Sequence, residues 1–248
     1  MIFKNLKKPY IIAEIGINHE GSFSSAKKHI IEAKKAGANA VKFQVFKPDT
    51  LAVPNSKKNK LQKKTSGEED LSSIWKRVSL NTMSLKKLRN YSKKIKIDFI
   101  CTAFDFDSLK VVKKLNLDAI KVASSDVTDL PLLIEISKLK KPIILSTGMS
   151  NRDEISTALN LLKNKNVSIL HCVSLYPCNY SDANLNRILA LKKKFKKNVI
   201  GYSDHCKNFE ASIYALNLGA KIIEKHFTLN KKKKGLDHSL SADPKDLK

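Results

Sequence analysis

The sequence lacks long apolar runs and closely spaced cysteine pairs, and each absence excludes a class of protein. The first apolar stretch, residues 11–17, is too short and too interrupted for the core of a signal peptide or for a membrane span. The four cysteines, Cys101, Cys172, Cys178 and Cys206, form no Cys-x-x-Cys motif, which argues against a zinc ribbon or a thioredoxin-type site. Small buried thiols in a reducing compartment fit better, so we expect a cytoplasmic protein that does not enter a membrane.

Arginine is scarce despite a strong positive charge. The net charge is +24, yet only four of the 47 basic residues are arginine. Arginine is the usual reader of phosphate and guanine, and here the lysines are spread over every predicted helix. This pattern argues against a nucleic-acid-binding protein and is typical of solvated helix faces. An anionic substrate is still compatible with the charge, because a positive surface steers anions inward.

The sequence does contain eight short apolar runs, most of which carry polar residues of catalytic type. The runs are residues 11–19, 40–46, 99–104, 119–126, 142–148, 167–176, 199–205 and 221–229. A stretch with helical apolar spacing separates most of them, and no longer repeat is present. This alternation predicts a (β/α)8 TIM barrel, and 248 residues match the usual size of one such domain, about 250 residues. The active site of such a barrel lies at the C-terminal ends of the strands.

The predicted connections differ in length. A polar insertion at residues 47–84 separates strand 2 from helix 2, and long loops of this kind usually belong to the active-site face. Helix 1 is predicted at about residues 24–36, with Ser22 or Ser24 as its cap and Gly37 just past its end. After strand 8 only a helix start at Ser-Ala-Asp-Pro is present. We therefore expect residues 1–248 to form one barrel domain whose last helix is short or missing.

Two histidines stand at the ends of the last two predicted strands, His205 and His226. Adjacent parallel strands lie about 4.8 Å apart, so the two imidazoles can share one metal ion and leave other positions to water or substrate. Such an open site acts as a Lewis acid on a carbonyl group. From the spacing alone, two hydrogen-bonded histidines that line a polar pocket are the simpler interpretation.

Lys42 and Lys121 lie in predicted strands 2 and 4, where a buried lysine is costly without an anion. Hydroxyl residues at the same rim complete a plausible phosphate or carboxylate pocket: Thr102, Ser124, Ser146 and Ser203. Alternatively, some of these side chains point outward to the helices, or Lys121 or Lys225 forms a Schiff base as in aldolases. Glu14 in the first run either pairs with a lysine such as Lys42 or does acid–base work.

Seven segments, taken together, resemble one enzyme family. They are "IIAEIGINHEGS", "AVKFQ", "IKVASSD", "ILSTGMS", "LHCVSLYP", "GYSDH" and "EKHFT", and they lie on all but one of the predicted strands. The chain is similar to the N-acetylneuraminate (sialic acid) synthase family, which includes the synthases of legionaminic and pseudaminic acids and related spore-coat proteins. The resemblance implies that phosphoenolpyruvate condenses with an N-acetylated hexosamine to give a nine-carbon 2-keto sugar acid and phosphate.

The resemblance also implies roles for single residues. A divalent metal, Mn or Mg, would be held by His205 and His226 and would activate the aldehyde of the open-chain sugar. The residues expected to hold phosphoenolpyruvate are Lys42, Thr102, Lys121, Ser124, Ser146 and Ser203. Those expected to contact the acceptor sugar or the reacting water are Glu14, Gln44, Tyr176 and Asp237. Glu14, Lys42, Lys121 and Asp126 are the expected catalytic residues, and a homodimer is expected.

Three departures from the family pattern affect these expectations. Asp126 stands where family members often have glutamate, which shortens the reach of a base. Ser174, a further expected substrate contact, stands where some sialic acid synthases carry asparagine, which points to an acceptor other than N-acetylmannosamine. The family's C-terminal antifreeze-like domain, which in relatives supplies an arginine to the sugar, is absent from residues 1–248. The alternatives are a Schiff-base aldolase on the same barrel and a truncated, non-catalytic or polyanion-binding barrel.

Overall fold

The structure is a computed structural model that describes residues 3, 6–51, 56, 58, 63, 67, 70–162 and 166–248. Eight parallel strands form a closed barrel in sequence order, and β8 pairs with β1 to close it. The predicted (β/α)8 TIM barrel is therefore confirmed. Among the described residues, no helix is long and apolar enough to cross a lipid bilayer.

Strands and helices alternate around the barrel. The strands are β1 (Tyr10–Gly16), β2 (Ala40–Val45), β3 (Asp98–Ala103), β4 (Ala119–Val122), β5 (Ile143–Ser146), β6 (Val167–Cys172), β7 (Val199–Asp204) and β8 (Ile222–His226). The described helices are α1 (Phe23–Lys35), α2 (Pro48–Leu51), α3 (Leu71–Val78), α4 (Thr82–Lys94), α5 (Phe106–Leu115), α6 (Leu130–Ser137), α7 (Arg152–Leu162), α8 (Arg187–Lys194), α9 (Glu210–Asn217) and α10 (Pro244–Leu247). Short 3₁₀ turns at Ser124–Asp126, Tyr180–Asp182 and His238–Leu240 follow β4, β6 and β8.

Short polar side chains begin several of the helices. The Ser22 hydroxyl accepts a hydrogen bond from the backbone N–H of Ser25, so it is the cap of α1. Asn81 and Asp105 cap α4 and α5 in the same way. Gly37 follows α1 with a φ of +94°, a conformation that favours glycine. Local chemistry thus sets where the helices of each βα unit begin and end.

The barrel interior has an apolar layer below a polar layer. Alternate strand residues face inward, and the lower set is Ile12, Ala40, Ile100, Ala119, Ile144, Leu170 and Ile222. The next inward positions are polar: Glu14, Lys42, Thr102, Lys121, Ser146, Cys172, Ser203 and Glu224. Gly201 belongs to the lower layer of β7, since a Cβ there would lie 2.5 Å from the carbonyl oxygen of Ile222. The two-residue period of the strands therefore places polar groups on an apolar floor at their C-terminal ends.

The larger apolar core lies between the outer faces of the strands and the helices. Phe43 and Phe99 stack there with ring centroids 4.9 Å apart, and Ile30, Leu85 and Leu88 pack from α1 and α4. Each such side chain, when fully buried, stabilises the fold by about 1.5–3 kcal/mol relative to exposure. This layer fixes the strands that carry the polar residues of the mouth.

The insertion after β2 forms one wall of the barrel mouth. Its described part includes α2 and α3, and α3 buries Ile74 and Val78 against Ile17 and Leu236. Most of the lysine-rich stretch 52–69 lies outside the described residues. The position of α3 agrees with the expectation that this long loop belongs to the active-site face.

The segment after β8 ends in the short helix that the sequence predicts. The 3₁₀ turn His238–Leu240 is followed by the four-residue helix α10. Asp243 and Asp246 form a reciprocal capping box at its start. The helix start that the sequence predicts at Ser-Ala-Asp-Pro is therefore present.

His29 links the stability of the fold to pH. It is buried in α1, its Nδ1 lies 2.8 Å from the carbonyl oxygen of Ser25, and burial lowers its pKa to about 4. Lys233 and His238 lower this pKa further and Glu20 raises it. Because the unfolded chain binds a proton below its pKa of about 6.5 and the folded chain does not, stability falls as the pH drops from about 6.5 to 4.

Between about pH 7 and pH 5, the free energy of unfolding of His29→Leu should fall by about 2 kcal/mol less than that of the unaltered protein. Urea unfolding at both pH values measures this change. Ile30→Val, a loss of one buried methyl group in the same helix, should cost about 1 kcal/mol at both pH values alike. An unchanged pH dependence in His29→Leu would show that His29 is already protonated in the native state.

Candidate active site

A cavity of about 380 Å³, here called the mouth cavity, opens at the C-terminal ends of the strands. The predicted residues that line it are Glu14, Lys42, Gln44, Thr102, Lys121, Ser124, Ser146, Ser174, Tyr176, Ser203, His205, His226 and Asp237. Residues not singled out from the sequence also line it, among them Ile17, Trp75, Phe104, Met149, Cys172, Glu224 and Leu236. The structure thus brings together lysines, carboxylates, hydroxyls and two histidines in one space.

Two lysines and two carboxylates form a buried charge cluster in the floor of the mouth cavity. Lys42 Nζ lies 2.9 Å from Glu14 Oε2 and 3.7 Å from Glu224 Oε1, and Lys121 Nζ lies 3.8 Å from Glu224 Oε1. Ser203 donates a hydrogen bond of 2.9 Å to Glu224 Oε1, and Gln44 Nε2 donates one of 2.9 Å to Glu14 Oε1. With both lysines and both carboxylates ionised, their charges cancel, which is what makes their burial tolerable.

The cluster shifts the pKa of each member in a direction that burial and its partners explain. Burial raises the pKa of Glu14 more than Lys42 lowers it, and Glu224 repels its ionised form. Burial raises the pKa of Glu224, but Lys121 and Lys42 together pull it below its usual value. Burial lowers the pKa of Lys121, whereas the carboxylates of Glu14 and Glu224 raise that of Lys42 despite its burial. Lys42 is therefore the better anchored cation of the two.

Hydroxyl and amide groups from β4 and β5 lie beside Lys121. Ser124 Oγ accepts a hydrogen bond from Gly148 N at 2.9 Å and lies 3.0 Å from Cys172 Sγ. Gly148 has no room for a side chain, because a Cβ there would lie 2.5 Å from Cys172 Sγ. Ser146 Oγ is buried without a hydrogen-bond partner among the described residues. These donors, together with the lysines, can hold a phosphate or carboxylate group.

His205 and His226 face each other across the mouth cavity. Their ring centroids lie 5.6 Å apart with 53° between the ring planes, and the Tyr176 ring lies 4.0 Å from His205. His205 Nδ1 is 2.7 Å from the carbonyl oxygen of Val173, so it donates there and leaves Nε2 as an acceptor. His226 Nδ1 is buried, has no hydrogen bond within the described part of the chain, and lies 3.6 Å from Asp237 Oδ2.

The histidine pair fits one divalent cation. Burial lowers the pKa of His205 to about 4 and that of His226 well below its usual value, so both rings are neutral, the form that binds metal. With metal–nitrogen distances of about 2.1 Å, two imidazoles on one ion have centroids roughly 4.5–6.5 Å apart. The described part of the chain contains no group of three or more His, Cys, Asp or Glu side chains able to hold a metal. Substrate or water oxygens would therefore complete the coordination.

Asp237 is held in the mouth cavity by contacts of its loop with the loop after β1. Asn18 Nδ2 donates hydrogen bonds of 2.9 Å to the Phe227 carbonyl oxygen and to Ser241 Oγ. Ser241 Oγ in turn donates to the Asp237 carbonyl oxygen at 2.7 Å. Burial raises the pKa of the Asp237 carboxyl to about 7. Asn18 thus fixes the position of Asp237, which is expected from the sequence to contact the acceptor sugar or the reacting water.

Asp126 is the one predicted site residue that does not line the mouth cavity. It closes the 3₁₀ turn Ser124–Asp126, where its Oδ1 accepts a hydrogen bond of 2.7 Å from Ser125 Oγ. Its Oδ2 is buried without a hydrogen-bond partner among the described residues. Ser124 therefore lines the cavity and Asp126 does not, and the expected catalytic role of Asp126 stays a prediction.

Lys225 faces away from the mouth cavity, and Glu224 faces into it. Lys225 Nζ pairs with Asp204 Oδ2 at 3.3 Å and donates to backbone carbonyls of Cys206 and Asn208. The Schiff-base alternative at Lys225 is therefore wrong, while Lys121 stays in place for it. Glu224 was missed, although the alternation of β8 places it on the same face as Ile222 and His226.

The comparison of sequences gives the relatives of the chain. The NeuB family profile matches residues 29–248. The N,N'-diacetyllegionaminic acid synthase of Campylobacter jejuni is 42% identical over 249 residues, which cover 98% of this chain and 74% of that protein. The N-acetylneuraminate-9-phosphate synthase of Drosophila melanogaster is 36% identical over 251 residues, which cover 96% of this chain and 65% of that protein.

The comparison of structures agrees. The crystal structure of N-acetylneuraminic acid synthetase from Leptospira borgpetersenii superposes with a TM-score of 0.85 at 36% identity, over 97% of this chain and 80% of that chain. A truncated 3-deoxy-D-arabino-heptulosonate 7-phosphate synthase from Thermotoga maritima superposes with a TM-score of 0.70 at 15% identity, which shows a shared fold only. The family profile and the identity to these relatives place the chain in the NeuB family.

Proposed function

We propose that this protein joins phosphoenolpyruvate to the aldehyde of an N-acetylated hexosamine. One water is consumed, and the products are a nine-carbon 2-keto sugar acid and inorganic phosphate. NeuB membership and the synthases among the relatives support this reaction. The observation that carries it is that Lys42 and Lys121 line the same cavity as His205 and His226, because an anion and a carbonyl can then be bound side by side.

Phosphoenolpyruvate would bind through its phosphate and carboxylate to the lysine side of the mouth cavity. Lys42 and Lys121 supply charge, and the hydroxyls of Thr102, Ser124, Ser146 and Ser203 supply hydrogen bonds. The unpartnered Ser146 hydroxyl supports this assignment, since a buried donor without an acceptor is costly until a ligand fills the role. The bound anion would compete with Glu14 and Glu224 for the two lysines.

A divalent metal, Mn or Mg, fits beside this pocket, with His205 and His226 as its protein ligands. When bound, it would supply Lewis acidity to the sugar aldehyde. The Val173 carbonyl orients the His205 ring through Nδ1, and Tyr176 packs against that ring. The chain thus holds the His205 imidazole in place before any ligand arrives.

The remaining walls would bind the acceptor and guide the proton transfers. Lys42 and Lys121 would hold the enol ester so that its C3 attacks the aldehyde carbon. Water then attacks C2, and Glu14 and Glu224 are the cavity carboxylates that can accept its proton. The polar acceptor contacts would be Gln44, Ser174, Tyr176 and Asp237. Ile17, Trp75 and Leu236 form an apolar wall that suits acetyl methyl groups.

A phosphate-release assay with phosphoenolpyruvate, Mn²⁺ and a panel of singly and doubly N-acetylated hexosamines tests the proposal. We expect release only when both substrates are present, with a 2-keto acid formed in equal amount. We expect kcat/KM to be about tenfold higher for a doubly N-acetylated acceptor than for a singly N-acetylated one. One extra apolar group on an apolar wall contributes about 1–3 kcal/mol. Release that does not depend on any acceptor, or no release with the whole panel, would overturn the proposal.

A Schiff-base aldolase on Lys121 is the second candidate. Its support is that Lys121 faces the mouth cavity and that burial lowers its pKa, as an imine-forming lysine requires. Borohydride reduction in the presence of pyruvate separates the two reactions, because the condensation forms no lysine imine. We expect no added mass on Lys121. Steeply salt-dependent binding of polyanions without phosphate release would instead support a non-catalytic barrel.

A further inference from the structure

A second cavity, here called the outer groove, lies outside the barrel between α7 and α8. Its volume is about 650 Å³, against about 380 Å³ for the mouth cavity, and no residue lines both. The loop between β5 and α7 separates the two spaces: Ser146 and Met149 line the mouth cavity, whereas Thr147, Ser150 and Asn151 line the outer groove. The groove therefore needs an explanation other than the proposed condensation.

The rim of the outer groove is positively charged. Arg152, Arg187, Lys193 and Lys194 line it, and none of its lining residues is a carboxylate. None of these four cations has an ion pair with a carboxylate among the described residues. Two of the chain's four arginines thus stand at one groove, although lysine dominates everywhere else. Arginine binds phosphate by paired hydrogen bonds, which lysine cannot do.

Arg187 also lies where a cation is unfavourable by itself. Arg187 is the first residue of α8, and the first turn of that helix contains no acidic residue. A helix N-terminus carries a partial positive charge, so a cation there is destabilised unless an anion binds nearby. Arg152 begins α7 at the same groove, where Asp153 and Glu154 already stand in the first turn of the helix. A bound phosphate would therefore relieve the repulsion at the N-terminus of α8.

The floor of the outer groove is not suited to a bare anion. Ile155, Leu191 and Phe195, all buried, give it an apolar surface. His171 also lines it and is only 2% exposed. His171 Nε2 lies 2.7 Å from the carbonyl oxygen of Ala183 and donates to it, which leaves Nδ1 as an acceptor without a partner among the described residues. The matching ligand carries a phosphate, an apolar flat part and an N–H donor.

We propose that the outer groove binds a nucleoside phosphate, with its phosphate on Arg152 and Arg187 and its base on the apolar floor beside His171. A nucleobase provides the flat surface and the N–H donors, and the groove volume lies within the range of small-molecule pockets, about 300–1,000 Å³. This site is independent of the proposed condensation, because it uses none of the residues of the mouth cavity.

Isothermal titration calorimetry with the four nucleoside monophosphates, the unphosphorylated nucleosides, a hexose phosphate and inorganic phosphate tests the site. We expect at least one nucleotide to bind at least about tenfold more tightly than inorganic phosphate or the hexose phosphate. The double variant Arg152→Gln/Arg187→Gln should weaken that nucleotide at least about tenfold. If no nucleotide binds better than inorganic phosphate, the groove attracts anions by charge alone and the proposal is overturned.

Two control variants distinguish the outer groove from general charge and from the mouth cavity. Lys86→Gln/Lys87→Gln removes the same charge from the exposed face of α4 and should change nucleotide affinity by less than about twofold. Lys121→Gln alters the mouth cavity and should likewise leave the affinity unchanged. Equal losses in the arginine and lysine double variants, or a loss confined to Lys121→Gln, would contradict the assignment. Circular dichroism spectra of all variants check that each is folded.

Discussion

Replacing His205 or His226 with alanine is expected to abolish the binding of one Mn²⁺ per chain and to lower phosphate release by about 10³-fold or more. The two rings are the paired neutral donors of the mouth cavity, and their centroids lie 5.6 Å apart. No group of three or more such ligands exists among the described residues, so one remaining imidazole cannot hold the ion by itself. Electron paramagnetic resonance of free Mn²⁺ measures the binding, independently of the reaction.

His29→Ala is the matched control for these two variants. It also removes a buried neutral imidazole, but one that lies in α1 outside the mouth cavity. We expect it to lower stability and to leave Mn²⁺ binding and the turnover of the folded protein unchanged. If His205→Ala and His226→Ala still bind one Mn²⁺ with unchanged affinity, the histidine pair is not the metal site. If they lose the ion and keep full turnover, the reaction does not depend on it.

The barrel could be predicted because each strand has two signals in the sequence, a short run of apolar residues and a polar residue near the end of that run. On β1, Ile12 belongs to the apolar layer and Glu14 to the polar layer, and β4 repeats this with Ala119 and Lys121. A period of two then fixes which side chains share the interior. Most of the site follows from this rule, since active-site residues of such barrels come from the strand ends.

The same rule was sufficient to find Glu224 and to exclude Lys225. Ile222, Glu224 and His226 alternate along β8, so Lys225 must face the helices once His226 faces the cavity. Residue type alone leaves a Schiff-base role open for Lys225, because any buried strand lysine is a candidate. Its partner Asp204 lies beside it on β7, in register with Lys225.

The geometry of other parts of the site does not follow from strand periodicity, because they lie beyond the strands. Strand β4 ends at Val122, and the 3₁₀ turn that follows places Ser124 and Asp126 by its own geometry. Trp75 reaches the mouth cavity from α3, at the end of a long insertion without strand periodicity. Such loop positions depend on tertiary packing, here on the apolar contacts of Ile74 and Val78 with Ile17.

The charge cluster of the mouth explains why its lysines are stable without a ligand. Lys42 is buried, and its two carboxylate partners lie on the neighbouring strand β1 and on β8, the strand beyond β1. A phosphate bound to these lysines would displace part of this pairing, so the cluster that stabilises the fold would also release its cations to an anion. Stability and binding therefore depend on the same charges in opposite ways.

Lys42→Met is expected to destabilise the fold by about 3–5 kcal/mol, because it leaves Glu14 and Glu224 buried around one remaining cation, Lys121. The double variant Lys42→Met/Glu14→Gln removes one charge of each sign and retains the Lys121–Glu224 pair. It should recover about 2–3 kcal/mol of the loss in urea unfolding, and Glu14→Gln alone completes the cycle that gives the coupling between the two sites. Both variants should lose phosphate release by about 10³-fold, since neither has the lysine that holds the enol ester.

Recovery of stability without recovery of activity separates the two roles of Lys42. Arg89→Met is the control, because it breaks an ion pair with Asp118 of 3.1 Å that lies outside the mouth cavity. It should lower stability and leave turnover unchanged. If the double variant is no more stable than Lys42→Met, the carboxylate of Glu14 is not the group that Lys42 neutralises. If the double variant regains activity together with stability, Lys42 serves the fold alone, and the anion must be held by Lys121 and the hydroxyl groups around it.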